Sequence, residues 1–242
     1  MKILEESLKN LFITIALLLS LQSFSQELNG VQLLEKAIKY HDPNGSWSSF
    51  NDDLLITMES PEKPNRDSEI FIDIPNEYFR LDMSTGKHNT IYIIDKDSCS
   101  IEHDGTSPTK EEKEKYNLTC ERAKLFQNYY TYLYGLPMKL KDPGTIIHDN
   151  VESKTFKGQI YWVLKATYEK EIGKDIWYFY FNKNNYKMEV YQFFHDESKN
   201  DGEYILLTDE EIINNIKMPK IRAWYTNKDN EYLGTDILKT SN

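Results

Sequence analysis

The sequence predicts an α+β protein, a large antiparallel sheet with two helices packed on one side. Short runs alternate apolar and polar residues with turn chemistry between them, and only two stretches change to a helical period. The composition suits a packed core. Hydrophobic residues make up 39% and aromatics 13%, against 10 Gly and 8 Pro, which excludes disordered and collagen-like classes.

The chain begins with export chemistry. Lys2 and Lys9 precede an uncharged apolar stretch from Leu11 to Leu21, and Ser23 and Ser25 place small residues before Gln26. This reads as a signal peptide over residues 1–25, leaving 26–242 as a single domain. A membrane anchor is the rival reading, but crossing hydrocarbon takes about 20 apolar residues. The mature chain is therefore expected in the periplasm or secreted, with no transmembrane segment.

Residues 28–41 place Val31, Leu34 and Ile38, with Leu33 and Ala37, at helical spacings, and Asp42-Pro43-Asn44-Gly45 stops the helix. Strands are expected over 50–59, 68–74, 77–83 and 89–95, with Pro61 and Pro64 in the first turn and Pro75-Asn76 in the second. The second helix is expected over 109–134. Thr109 and Glu112 form a capping-box pattern, and Ala123, Phe126, Tyr130 and Leu133 make a stripe flanked by Leu125, Tyr129 and Tyr132. Gly135 closes it and Leu136-Pro137 turns the chain away. Strands then follow over 159–169, 175–182, 186–195, 203–208, 212–218, 220–227 and 231–238. Residues 176–181 are apolar on both faces, so that strand should be central.

The net charge of −10 gives a surface that repels phosphates, so nucleic acid and anionic membrane faces are poor partners. Cys99 and Cys120 are the two cysteines. In an exported chain they favour a disulfide over two buried thiols, and the bridge would stabilise by about 3 kcal/mol.

No nucleophile elbow, HExxH, Walker loop, dinucleotide glycine loop or CxxC pair is present, so no cofactor is implied. Of the five histidines, His41, His88, His103, His148 and His195, no two stand at metal-ligand spacing. His41-Asp42 and His195-Asp196 would form an acid/base pair or metal site if the first helix ended beside that strand; otherwise they are turn residues. Asp95-Lys96-Asp97 and Asp196 to Gly202 resemble calcium loops, but Cys99 and Asp201 stand at positions the pattern forbids, which favours plain hairpin loops.

The aromatic stripe is the more informative feature. Such a stripe is ordinary core by spacing alone, yet a buried Tyr hydroxyl needs a partner, and an excess of Tyr suits a cavity with an apolar body and a polar mouth. The candidate lining is Phe126, Tyr129, Tyr130 and Leu133 from the helix, opposed by Trp162, Leu164, Trp177 and Phe179 from strands.

The segments CERAKLFQNYYTYLYGLPMKLKDPG (120–144), GKDIWYFYFN (173–182) and YQFFHDESKNDGEY (191–204) resemble a family of exported bacterial envelope proteins. The resemblance spans essentially the whole mature chain, and GLPMKLKDPG is its distinctive part. That family has no assigned activity, so no catalytic residue is carried over. The element order in turn is similar to that of the periplasmic outer-membrane lipoprotein carriers. That likeness implies a sheet curved into a half-open barrel, with two helices on its concave side. It also implies a lipid, acyl chain or lipoprotein anchor as ligand, with an envelope protein as a further partner. The expected function is therefore a soluble carrier. The alternatives are an envelope hydrolase using carboxylates with His41 or His195, and a partner-binding scaffold on a sheet edge.

Overall fold

The computed structural model describes residues 28–239, and the expected signal peptide lies outside them. Its core is a twelve-stranded antiparallel sheet ordered β5-β4-β3-β2-β1-β12-β11-β10-β9-β8-β7-β6. Strands β1 (Asn51–Ser60), β2 (Lys63–Asp73), β3 (Tyr78–Thr85), β4 (His88–Asp95) and β5 (Ser98–His103) form one meander. The second comprises β6 (Thr145–Phe156), β7 (Gln159–Tyr168), β8 (Ile176–Asn182), β9 (Met188–Phe194), β10 (Glu203–Ile213), β11 (Ile216–Thr226) and β12 (Tyr232–Lys239). The meanders join where β1 pairs β12, with Leu55 opposite Lys239 and Glu59 opposite Thr235. The sheet does not close; β5 and β6 are its edges.

The chain leaves the first meander at one edge and enters the second at the other, so residues 104–144 must traverse the sheet. They do so as helices α2 (Lys110–Tyr116) and α3 (Cys120–Gly135). Together with α1 (Gly30–His41), three α-helices occur among the described residues, where the sequence predicts two. The difference is local. Asn117 adopts a left-handed φ of 52° and ends α2, and Thr119 caps α3 by accepting the Arg122 N–H at 3.2 Å. The capping box at Thr109 and Glu112 is formed. So is another at Asn29 and Gln32 at the start of α1, where each side chain accepts the other's backbone N–H.

Both long helices bury one stripe against the same face of the sheet. Leu33, Leu34 and Ala37 of α1 and Ala123, Tyr130, Leu133 and Tyr134 of α3 share one core with Leu54, Ile70, Phe79, Leu164, Phe179 and Ile205. Two glycines permit the close approaches. A Cβ on Gly30 would stand 2.1 Å from the His148 carbonyl oxygen of β6, and one on Gly135 would stand 2.3 Å from the Trp47 ring. Cys99 of β5 is bonded to Cys120 in the first turn of α3, which ties that helix to the sheet edge. A smaller cluster of Tyr161, Val163, Tyr180 and Val190 lies on the opposite face, so β8 is apolar on both sides as its sequence predicts.

The remaining differences concern strands. β5 and β6 are not expected from the sequence. Residues 203–227, expected as three strands, form two long ones turned by Asn214-Asn215, both at positive φ.

Candidate functional site

The described surface holds a cleft of about 1000 Å³ at one end of the sheet. Four connections meet a flank of α3 there: the β2–β3 turn, the β4–β5 turn, the segment between α3 and β6, and the segment between β7 and β8. Ile72, Ile74 and Phe79 form its apolar floor on one side, and Tyr168 and Trp177 on the other. Tyr129 and Tyr132 of α3 complete the wall, and Leu125 and Ile172, 63% and 62% exposed, stand at the opening. The rim is charged on both sides, with Lys96, Lys124 and Lys139 against Glu77, Asp142 and Glu171. The body is thus apolar and the mouth polar.

Hydrogen bonds hold the aromatic wall in place. Tyr132 and Tyr168 join hydroxyl to hydroxyl, and Tyr132 packs on the Trp177 ring at 5.6 Å. Burial pushes the Tyr168 phenol up to about 12, so these groups act as neutral hydrogen-bonding tips at any physiological pH. Lys139 and Asp142 pair at the rim. His195 lies 2.7 Å from Asp175, itself a lining residue, and that contact raises the imidazole pKa.

The structure separates the eight residues that the sequence proposes as cavity lining. Tyr129 and Trp177 border the cleft. Tyr130, Leu133, Leu164 and Phe179 are buried in the shared core. Phe126 is half-buried against Tyr92 at 5.4 Å with the Arg122 guanidinium 5.0 Å from its ring, and Trp162 is half-buried under the Lys183 ammonium. The lining residues not anticipated are those of the turns and of the helix flank, Leu125 and Tyr132 above all.

The histidines do not converge. His41 is buried, with Nδ1 2.7 Å from the Lys217 carbonyl oxygen and Nε2 accepting the Met188 N–H at 3.0 Å. His195 follows the far end of β9, and seven residues of extended chain span about 23 Å. The condition for an acid/base pair or metal site of His41-Asp42 with His195-Asp196 is therefore not met, and the alternative reading as residues at element ends holds. Asp42 instead caps a 3-10 turn by accepting the N–H groups of Ser46 and Trp47. The segments that resemble calcium loops are turns. Asp95 pairs Ser98 across the β4–β5 hairpin, and Asp196 accepts the Ser198 N–H and pairs with Lys199.

Behind the cleft the core carries charge. Arg222 is 1% exposed, and Asp236 lies opposite it in the β11–β12 register. Trp224 donates its indole N–H to Asp236 at 3.0 Å. The Tyr134 and Tyr191 hydroxyls and Arg222 Nε are buried with no hydrogen-bond partner among the described residues.

Residues 9–240 match the model of a family of unknown function, DUF6503. The chain belongs to that family. No curated protein matches it. In outline the fold is similar to that of a LolA superfamily protein from Nitrosomonas europaea, with 10% identity and a TM-score of 0.48 over 88% of this chain and 92% of that one. It is also similar to an outer membrane lipoprotein-sorting protein domain from Vibrio parahaemolyticus, with 9% identity, a TM-score of 0.46, and 88% and 90% of the two chains covered. A DUF1329 family protein from Desulfovibrio piger gives 7% identity and a TM-score of 0.49 over 87% and 91%. The resemblances read from the sequence, to a family without assigned activity and to the lipoprotein-sorting architecture, agree with these matches. Among the described residues no helix is long and apolar enough to cross a membrane.

Proposed function

We propose that this DUF6503 member is an exported, soluble carrier that holds one amphipathic lipid, acyl chain or lipoprotein anchor in the cleft beside α3. The observation that carries this reading is the cleft itself. Its volume of about 1000 Å³ stands at the upper end of small-molecule pockets, and its apolar floor opens through exposed Leu125 and Ile172 to a charged rim. Burial alone would supply the affinity, at about 0.8 kcal/mol for each methylene removed from water.

The proposal includes a sheet curled into a half-open barrel around α3. Phe126 touches Tyr92 of β4 at 5.4 Å, and Tyr132 touches Trp177 of β8 at 5.6 Å. Those two helix positions are separated by about 9 Å of rise, whereas β4 and β8 lie eight strand spacings apart, about 38 Å in a flat sheet. Only a concave sheet brings both within reach of one helix. The hydrolase alternative loses its constellation, because His41 has both ring nitrogens engaged in the core and lies far from His195.

Solvent extraction of native protein followed by mass spectrometry should release a stoichiometric lipid or acyl species, and a fluorescent fatty acid should bind the stripped protein. Protein that carries nothing and binds no fatty acid would overturn the reading.

A further inference from the structure

A second cluster lies away from the cleft, at the opposite end of the β4–β5 hairpin. His88 opens β4, His103 ends β5 and Asp104 follows it. One ligand atom from each lies within 4.8 Å of the others. The register places them there. Thr90 pairs with His103, so His88, two residues earlier, stands diagonally across from it. Asp104 at φ 48° and Gly105 at φ 82° turn the chain sharply and bring the carboxylate back over the strand ends.

Each donor is already oriented by a second contact. His103 is buried, with Nδ1 2.9 Å from the Thr90 hydroxyl. Its Nε2 faces Asp104 Oδ2 at 3.7 Å, too long for a hydrogen bond. Asp104 Oδ1 accepts the Asn89 N–H at 2.9 Å, and Oδ2 lies 2.8 Å from His88 Nδ1. Tyr116 of α2 covers the pair, its ring 4.8 Å from that of His103 and 5.5 Å from that of His88. A histidine fixed through one nitrogen by a hydroxyl, with the other aimed at a carboxylate, is the arrangement a metal ligand needs. A plain His88–Asp104 pair would account for one imidazole and leave Nε2 of the other, on buried His103, facing the same oxygen at 3.7 Å.

We propose that His88, His103 and Asp104 form a site for one divalent transition-metal ion, zinc by the chemistry of its imidazole and carboxylate donors. Tetrahedral zinc with bonds of about 2.1 Å sets ligand atoms about 3.4 Å apart. Small rotations of exposed Asp104 and half-buried His88 reach that spacing. The fourth position is left for water or an exogenous ligand. Occupancy would fasten the β4–β5 hairpin end beneath α2, independently of any ligand in the cleft.

Zinc titration of the intact, chelator-stripped protein by calorimetry should give one saturable site, and cobalt should give the visible spectrum of a tetrahedral nitrogen and oxygen complex. His88→Ala and His103→Ala should each weaken zinc binding by about 100-fold, and Thr90→Val, which removes only the orienting hydroxyl, by about 10-fold. Because His103 is buried, His88→Ala is the decisive variant; its melting without metal should match wild type. Absence of a saturable site, or zinc binding by a folded His88→Ala protein at wild-type affinity, would overturn the proposal.

Discussion

The guanidinium of Arg222 lies 3.8 Å from the centre of the Tyr134 ring, with both side chains buried between β11 and α3. The middle of the sheet therefore holds this helix through a cation as well as through aliphatic packing. Arg222 donates to the Pro219 carbonyl oxygen at 2.8 Å, and burial pushes the opposing Asp236 carboxyl above its usual range while Arg222 pulls it down. Truncating one member of such a buried set strands the other. Arg222→Ala should cost about 3 to 5 kcal/mol in urea unfolding, whereas the double change Arg222→Met with Asp236→Leu should cost less than the single one. Equal losses would show that the cation contributes only volume.

His41 makes stability depend on pH. Burial lowers its pKa from 6.5 to about 4, against the pull of the Lys217 carbonyl. Between those values the unfolded chain takes up a proton that the folded chain refuses. Stability is therefore full above the unfolded value and falls as pH drops. Unfolding free energy should decline by about 2 kcal/mol between pH 7.5 and 5.0, and His41→Gln should remove most of that decline. The exposed His195–Asp175 pair acts in the opposite sense and, being screened, weakly.

The Cys99–Cys120 bridge closes a separation of 21 residues that includes all of α2. Cys120→Ser should cost about 3 kcal/mol in the chain-entropy account, a loss read as a lower denaturation midpoint. The loss should match that of wild type under reductant. A variant with an unchanged midpoint would mean that α3 is held by its packing alone.

The fold was legible where sheet strands carry an apolar face, and the two strands that escaped are the sheet's edges. β5 (SCSIEH) is only six residues long with Cys99 and Ile101 as its apolar positions, and β6 (Thr145–Phe156, TIIHDNVESKTF) shows no sustained alternation; each has one neighbour in the sheet. Missing β5 hid the His88–His103 juxtaposition, because fifteen positions of sequence become neighbours only through that strand's register. The helical stripe was read correctly as a face, but the face nearest the sheet is filled by core. The cleft takes the adjoining flank, and its other walls come from turns that no periodicity announces.

That distinction decides how the cleft should be tested. Leu133 ends the stripe and is 3% exposed among core residues, so Leu133→Asp should unfold the protein and report on packing alone. Leu125, two turns earlier on the flank, is 63% exposed at the mouth of the cleft. Leu125→Asp should leave the melting temperature nearly unchanged, because it removes little buried area. It should nevertheless weaken binding of a fluorescent fatty acid by about 10-fold, since a carboxylate would stand where apolar chain enters. Ile172→Asp, on the facing segment between β7 and β8, should do the same. Two folded variants that bind as wild type does would move the ligand away from this opening, whereas loss in both with melting preserved would place its apolar part between α3 and the β7–β8 connection.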